Sequence, residues 1–194
     1  MGRDNRPEMV TMGNVQRNLL DSDYLVFPNQ FMEEKMSGAF NLKELYRGTI
    51  LREGYPRNSI FFDQEHGRLL KEVLGYQGCQ LSVYMPTFRG RTDDVEGDTY
   101  VEQVRSYLEV IDKGMQDDQI LLLKLHPLVQ KGLDLDNYRH IRPFPSELDT
   151  YDVLNACDVL ITDYSSVMYD FANTGRKIIL FAYDLEDYMG HRGM

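Results

Sequence analysis

Residues 159–175 read Val-Leu-Ile-Thr-Asp-Tyr-Ser-Ser-Val-Met-Tyr-Asp-Phe-Ala-Asn-Thr-Gly. The first four form a short apolar, β-branched run, the pattern of a strand buried on both faces. Asp163, Tyr164, Ser165 and Ser166 interrupt it with polar side chains. From Val167 to Thr174 the spacing becomes helical, and Gly175 is the residue type that closes a helix in the left-handed conformation. Another apolar run, 178–181, follows at once. Strand, helix and strand in so short a space predict a βαβ unit. Upstream the alternation continues. Residues 81–85 are apolar and stop at Pro86. Residues 99–113 carry Val101, Val104, Leu108 and Ile111 at helical spacing. Residues 120–125 run apolar into His126-Pro127, 138–141 read as a weaker strand, and 151–157 as one or two helical turns. The expectation is an α/β fold, a Rossmann-like parallel sheet covered by helices on both faces.

Before residue 60 the pattern is less regular. Residues 14–20 and 31–40 read as helices, 24–27 as a strand stopped by Pro28, and 49–51 as a second strand before the turn signal Gly54-Tyr55-Pro56. The mild shift near residue 60 divides the chain into 1–62 and 63–194.

Composition narrows the function. Of 194 residues, 42% are hydrophobic and 27% charged, proportions that support a full core without disulfide or metal staples. The net charge of -10 argues against nucleic-acid binding and against a general electrostatic grip on anionic lipid, while leaving room for a local basic pocket. Cys79 and Cys157 form no C-x-x-C pair and read as free thiols of a reducing compartment. No apolar run is long enough to cross a bilayer, and residues 1–7 lack the character of a signal peptide. The four histidines have no metal-ligand spacing, and neither a G-x-G-x-x-G nor a Walker lysine motif is present. No bound metal and no cofactor are expected.

Parallel sheets bind ligands beyond the carboxyl ends of their strands. After 81–85 come Pro86, Thr87, Phe88, Arg89, Gly90 and Arg91; after 120–125 come His126 and Pro127; after 159–162 comes Asp163-Tyr164-Ser165-Ser166, opening a helix. Serines at a helix start either cap it or, with the unpaired N–H groups there, hold a phosphate. His126, the candidate catalytic residue, is either a loop histidine or a group that donates to a phosphate oxygen or protonates a leaving group. Arg89 suits bidentate contact with a diphosphate. Arg91 reads better as part of a solvated loop beside Asp93, Asp94, Glu96 and Asp98. Arg192 is a further candidate phosphate contact.

Five segments together carry a resemblance. They are Gly54-Tyr55-Pro56-Arg57-Asn58; Tyr84-Met85-Pro86-Thr87-Phe88-Arg89; Lys124-Leu125-His126-Pro127; Leu160 through Val167 and on to Asp170-Phe171; and Tyr183-Asp184-Leu185-Glu186-Asp187-Tyr188. In order and spacing they resemble the CDP-glycerol:poly(glycerophosphate) glycerophosphotransferases of bacterial teichoic acid synthesis, over about residues 14–193. The resemblance implies a GT-B-type fold with two Rossmann-like domains, the carboxy-terminal one holding CDP-glycerol. It implies transfer of glycerol phosphate to a polyprenyl-linked acceptor with release of CMP, at the cytoplasmic face of the membrane. By the same resemblance His126 contacts donor phosphate, Ser165 and Ser166 meet the diphosphate, and Thr87, Arg89, Pro127, Asp163, Tyr164 and Arg192 complete the donor site.

This sequence departs from the family pattern in two places. Family members carry an upstream Trp-His-Gly-Thr-type segment whose histidine is the expected general base, and this chain has no tryptophan. They also continue beyond the Arg-Gly pair near the end. The chain therefore reads as the tail of an acceptor-side domain, 1–62, joined to most of a donor domain, 63–194, and as inactive alone. Two alternatives remain: a transferase for CDP-ribitol or a sugar nucleotide, and a catalytically silent nucleotide-binding remnant.

Overall fold

A computed structural model describes residues 8–87, 96–126, 129 and 132–192. The chain forms two compact units, residues 1–59 with 184–194, and residues 60–183. The break thus falls between Ser59 and Ile60, and the last eleven residues group with the first unit.

In the first unit, α1 (Glu8–Leu20) leads to β1 (Tyr24–Val26), α2 (Gln30–Ala39) and β2 (Thr49–Leu51). The two strands are parallel, with Leu25 opposite Ile50. Pro28 stops β1, and Asn29 then caps α2 by accepting the Met32 N–H at 2.9 Å. Leu25, Phe27 and Leu42 form a small core with Leu19, Leu20, Met36, Phe40 and Tyr46. Residues 185–192 form a helix belonging to this unit.

The second unit holds α3 (Gln64–Val73), β3 (Gln80–Tyr84), α4 (Glu96–Gly114), β4 (Gln119–Leu123) and β5 (Ile141–Pro143). It continues with α5 (Thr150–Ala156), β6 (Val159–Thr162), α6 (Val167–Phe171) and β7 (Lys177–Leu180). The strand order is β5-β4-β3-β6-β7, and every pair is parallel. Counted within this unit that is 3-2-1-4-5, the Rossmann-like order, with its switch point between β3 and β6.

Period-two alternation places successive side chains in different cores. Leu122 joins Leu81, Val83, Leu154, Leu160 and Phe171 on one face. Leu121 and Leu123 join Tyr84, Val104, Leu108 and Ile141 on the other. Both faces are thus buried, which is why these strands read as continuous apolar runs.

Two elements differ from expectation. The strand predicted over 138–141 begins only at Ile141. The N–H groups of Arg139 and His140 are taken by the Asp112 carboxylate of α4, at 3.1 and 2.8 Å. The Arg142 guanidinium donates to the carbonyls of Tyr138, Arg139 and Ile141. These backbone groups are therefore unavailable to a ladder. The helix predicted over 167–174 is a short α6 followed by a 3₁₀ turn, Ala172–Thr174, and Gly175 closes it at φ +67° as expected.

Candidate functional site

The carboxyl ends of β4, β3 and β6 lie side by side and in register, with Tyr84 opposite both Leu123 and Ile161. His126 stands three residues beyond β4, Thr87 three beyond β3, and Ser165 three beyond β6. The sheet thus brings these three side chains to one edge from segments far apart in sequence.

At the switch point the β3–β6 ladder continues beyond the strands. The Met85 N–H donates to the Ile161 carbonyl at 2.9 Å. The next N–H turned to that side is that of Thr87, because alternate residues of a strand face opposite neighbours. Side chains take over: the Thr162 hydroxyl donates to the Met85 carbonyl at 2.7 Å. Asp163 then accepts the Thr87 N–H on both carboxylate oxygens, at 2.9 and 3.0 Å, and the Thr87 hydroxyl at 2.7 Å. The Tyr164 N–H adds a further donor at 2.6 Å. Thr162 and Asp163 are buried.

Ser165 is half-buried and Ser166 exposed. Ser166 has helical dihedrals (φ −62°, ψ −14°) and makes no side-chain cap hydrogen bond. The capping alternative therefore leaves the hydroxyl of this exposed serine without that employment. From below, α6 is fixed by Asp170, which is buried and accepts the Tyr151 hydroxyl at 2.7 Å. Phe61 packs between Tyr151 and Phe171, at ring-centroid distances of 5.7 and 6.3 Å.

On the β4 side His126 is exposed, just beyond the buried Leu125. Lys124 turns instead toward the β5 exit. Its Nζ lies 3.9 Å from the Phe144 ring centre and donates to Thr150 Oγ1 at 3.0 Å. Burial holds this ammonium below the ordinary lysine range, with the Asp149 carboxylate opposing the shift. Beyond β7, Phe181 meets Tyr107 edge-on and Tyr183 meets it at a tilt, and Phe181 also reaches Tyr84 edge-on, at centroid distances of 5.0 to 6.3 Å. His140 is buried, with Nδ1 3.2 Å from the Gln119 carbonyl, so it serves packing at the other end of the sheet.

Of the predicted site residues, Thr87, His126, Asp163, Tyr164, Ser165 and Ser166 come to the same sheet edge. Arg89 and Pro127 lie outside the described residues, as does the side chain of Arg192. The Thr162 hydroxyl, the Tyr151–Asp170 pair, the Lys124–Thr150 bond and the aromatic group around Phe181 were not singled out from the sequence. A threonine closing an otherwise apolar strand is the signal that could have found the first. The others depend on tertiary contacts. Among the described residues no group of three or more His, Cys, Asp or Glu side chains is placed to hold a metal ion, and no helix is long and apolar enough to cross a membrane.

A family model described as CDP-Glycerol:Poly(glycerophosphate) glycerophosphotransferase matches residues 1–194. A teichoic acid poly(glycerol phosphate) polymerase of Staphylococcus epidermidis is 34% identical over 189 residues, covering 93% of this chain and 25% of that protein. A teichoic acid glycerol-phosphate transferase of Staphylococcus aureus is 33% identical over 171 residues, covering 86% of this chain and 43% of its own. Among solved structures, a variant of the wall teichoic acid polymerase TagF soaked with CDPG superposes with a TM-score of 0.74 at 30% identity, over 96% of this chain and 44% of that one. The chain spans less than half the length of each.

Proposed function

The chain belongs to the CDP-glycerol:poly(glycerophosphate) glycerophosphotransferase family, and on that footing we propose that it holds the nucleotide donor of a transferase acting in teichoic acid synthesis. The donor is CDP-glycerol, and glycerol phosphate passes to a polyprenyl-linked glycerol phosphate primer or polymer. The observation that carries this reading is the meeting of His126, Thr87, Ser165 and Ser166 at the switch-point edge of the sheet, with the Ser166 hydroxyl uncommitted to its helix.

In this reading Ser165 and Ser166 donate their hydroxyls to the diphosphate. His126 donates an N–H to a phosphate oxygen from the neighbouring strand end. Arg89 and Arg192 add charge-assisted bonds, and Thr87, Pro127, Asp163 and Tyr164 shape the floor. An acceptor hydroxyl loses its proton to a base and attacks the β-phosphorus. The bond from that phosphorus to the bridging oxygen breaks, and CMP leaves carrying the oxygen and its electron pair. Donors aimed at the diphosphate stabilise the charge that grows on CMP, a contribution that is largest in a preorganised site. No metal or cofactor is invoked. The acceptor's membrane anchor places the working enzyme at the inner face of the membrane as a peripheral protein.

In this reading the base belongs to the acceptor wall, and none of the donor-side residues named above removes the acceptor's proton. A general base contributes about 10²–10⁴-fold. The test is CMP release from CDP-glycerol with a prenyl-diphosphate-linked acceptor, run beside a full-length relative. CMP release that is unchanged on losing both serines would contradict the donor-side roles.

A further inference from the structure

Asp163 stands among the candidate donor contacts, yet its carboxylate is directed inward. It is 3% exposed, and the Thr87 N–H, the Thr87 hydroxyl and the Tyr164 N–H all point at it. A carboxylate is an acceptor on both oxygens, and burying it is tolerated only when such donors surround it. We propose that Asp163 is a positioning residue, which clasps the loop after β3 to the loop after β6 and so sets the floor on which the donor phosphates rest. This rests on the donor-binding reading above and assigns Asp163 a role within it.

The need for a clasp follows from the backbone. Alternate residues of a strand face opposite neighbours, so after Met85 the next N–H turned to the β6 side is that of Thr87, and it meets the Asp163 carboxylate rather than a main-chain carbonyl. Without a replacement the two loops would separate just where the crevice opens. Thr162 bridges the first step and Asp163 the second. Because Asp163 grips both the main chain and the side chain of Thr87, it fixes the position of that residue as well as its orientation. Because it also holds the Tyr164 N–H, it fixes the approach to Ser165.

A second clasp at the opposite end of the same strands serves as an internal control. Asp158, just before β6, accepts the Leu81 N–H at 2.7 Å and the Lys71 ammonium at 2.6 Å. It ties β3 to its neighbours in the same manner, but at the end of the sheet away from the crevice.

The test uses the full chain, CDP as probe, and the variants Asp163→Asn, Thr87→Val, Thr87→Ser, the Asp163→Asn/Thr87→Val double variant and Asp158→Asn. Asn at 163 sets an N–H₂ group in place of an oxygen that faces the Thr87 N–H. Asp163→Asn is expected to weaken CDP about tenfold and Thr87→Val about fivefold, on the scale of bonds to a charged group. Thr87→Ser should restore affinity to within about twofold, since it keeps the hydroxyl. The double variant should be no weaker than Asp163→Asn alone, because residues acting as one unit are non-additive. Asp158→Asn should lower stability and leave CDP affinity unchanged. Without ligand, the Thr87 amide resonance should shift and exchange faster in Asp163→Asn. Additive losses in the double variant, or a folded Asp163→Asn chain with parental affinity, would overturn the positioning role. An unmoved Thr87 amide would overturn the clasp itself. Failure of the parent chain to bind CDP, with the Thr87 amide behaving as expected, would overturn the donor reading.

Discussion

Gly67 faces the main chain of Asn155 so closely that a β-carbon there would stand 2.5 Å from the Asn155 carbonyl oxygen. This contact lets α3 lie against α5, and the buried Asn155 side chain reinforces it by donating to the Asp63 carbonyl at 2.7 Å. The obstacle is backbone, which cannot swing aside as a side-chain tip can. Gly67→Ala is therefore expected to destabilise the second unit by about 1–3 kcal/mol, the usual cost of overpacking. Urea unfolding followed by circular dichroism checks it, and an unchanged midpoint would show that the two helices can separate freely.

The serine pair is the next point of test. Replacing Ser165 and Ser166 together with alanine removes two proposed donors to the diphosphate and should weaken CDP binding by about 1–3 kcal/mol. Ser166 makes no side-chain cap bond, so its loss should cost the fold little. Calorimetric titration of the folded double variant checks this. Parental affinity would leave these hydroxyls outside the site.

Lys124 supplies a prediction about pH. Its ammonium is held below the ordinary lysine range by burial beside Phe144. The folded state therefore binds fewer protons than the unfolded state in the window between the lowered folded pKa and the ordinary lysine value. Stability rises with pH wherever the unfolded state holds more protons. The penalty is fully present below the folded pKa and is relieved as pH rises through it toward the ordinary value. Relative to Lys124→Met, the parent chain should thus gain stability from pH 7 to pH 10, as read by denaturant midpoints at each pH. A constant difference would mean that the Lys124 ammonium is as well solvated as in the unfolded chain.

The sheet was largely legible in the sequence because its strands are buried on both faces and so appear as unbroken apolar runs, as at Leu121, Leu122 and Leu123. The start of β5 was not, because Asp112 on a distant helix captures the Arg139 and His140 N–H groups, and no local pattern announces that. The candidate site was legible as a set of strand exits. What the sequence hid was direction. Asp163 and Ser166 stand three positions apart in one polar segment, yet the first is buried and the second exposed. Lys124 and His126 differ likewise, the first folded over Phe144 and the second exposed. Such differences arise from neighbours brought up by the topology.

The proposed donor site for a cytidine diphosphate lies at the switch point, beyond the carboxyl ends of the strands. Isothermal titration of the chain with CDP-glycerol, CDP-ribitol and UDP-glucose tests it most directly. CDP-glycerol is expected to bind saturably, with UDP-glucose much weaker and with His126→Ala reducing the affinity for CDP-glycerol. Equal or tighter binding of UDP-glucose, or CDP-glycerol binding that is indifferent to His126→Ala and to loss of both serines, would contradict it.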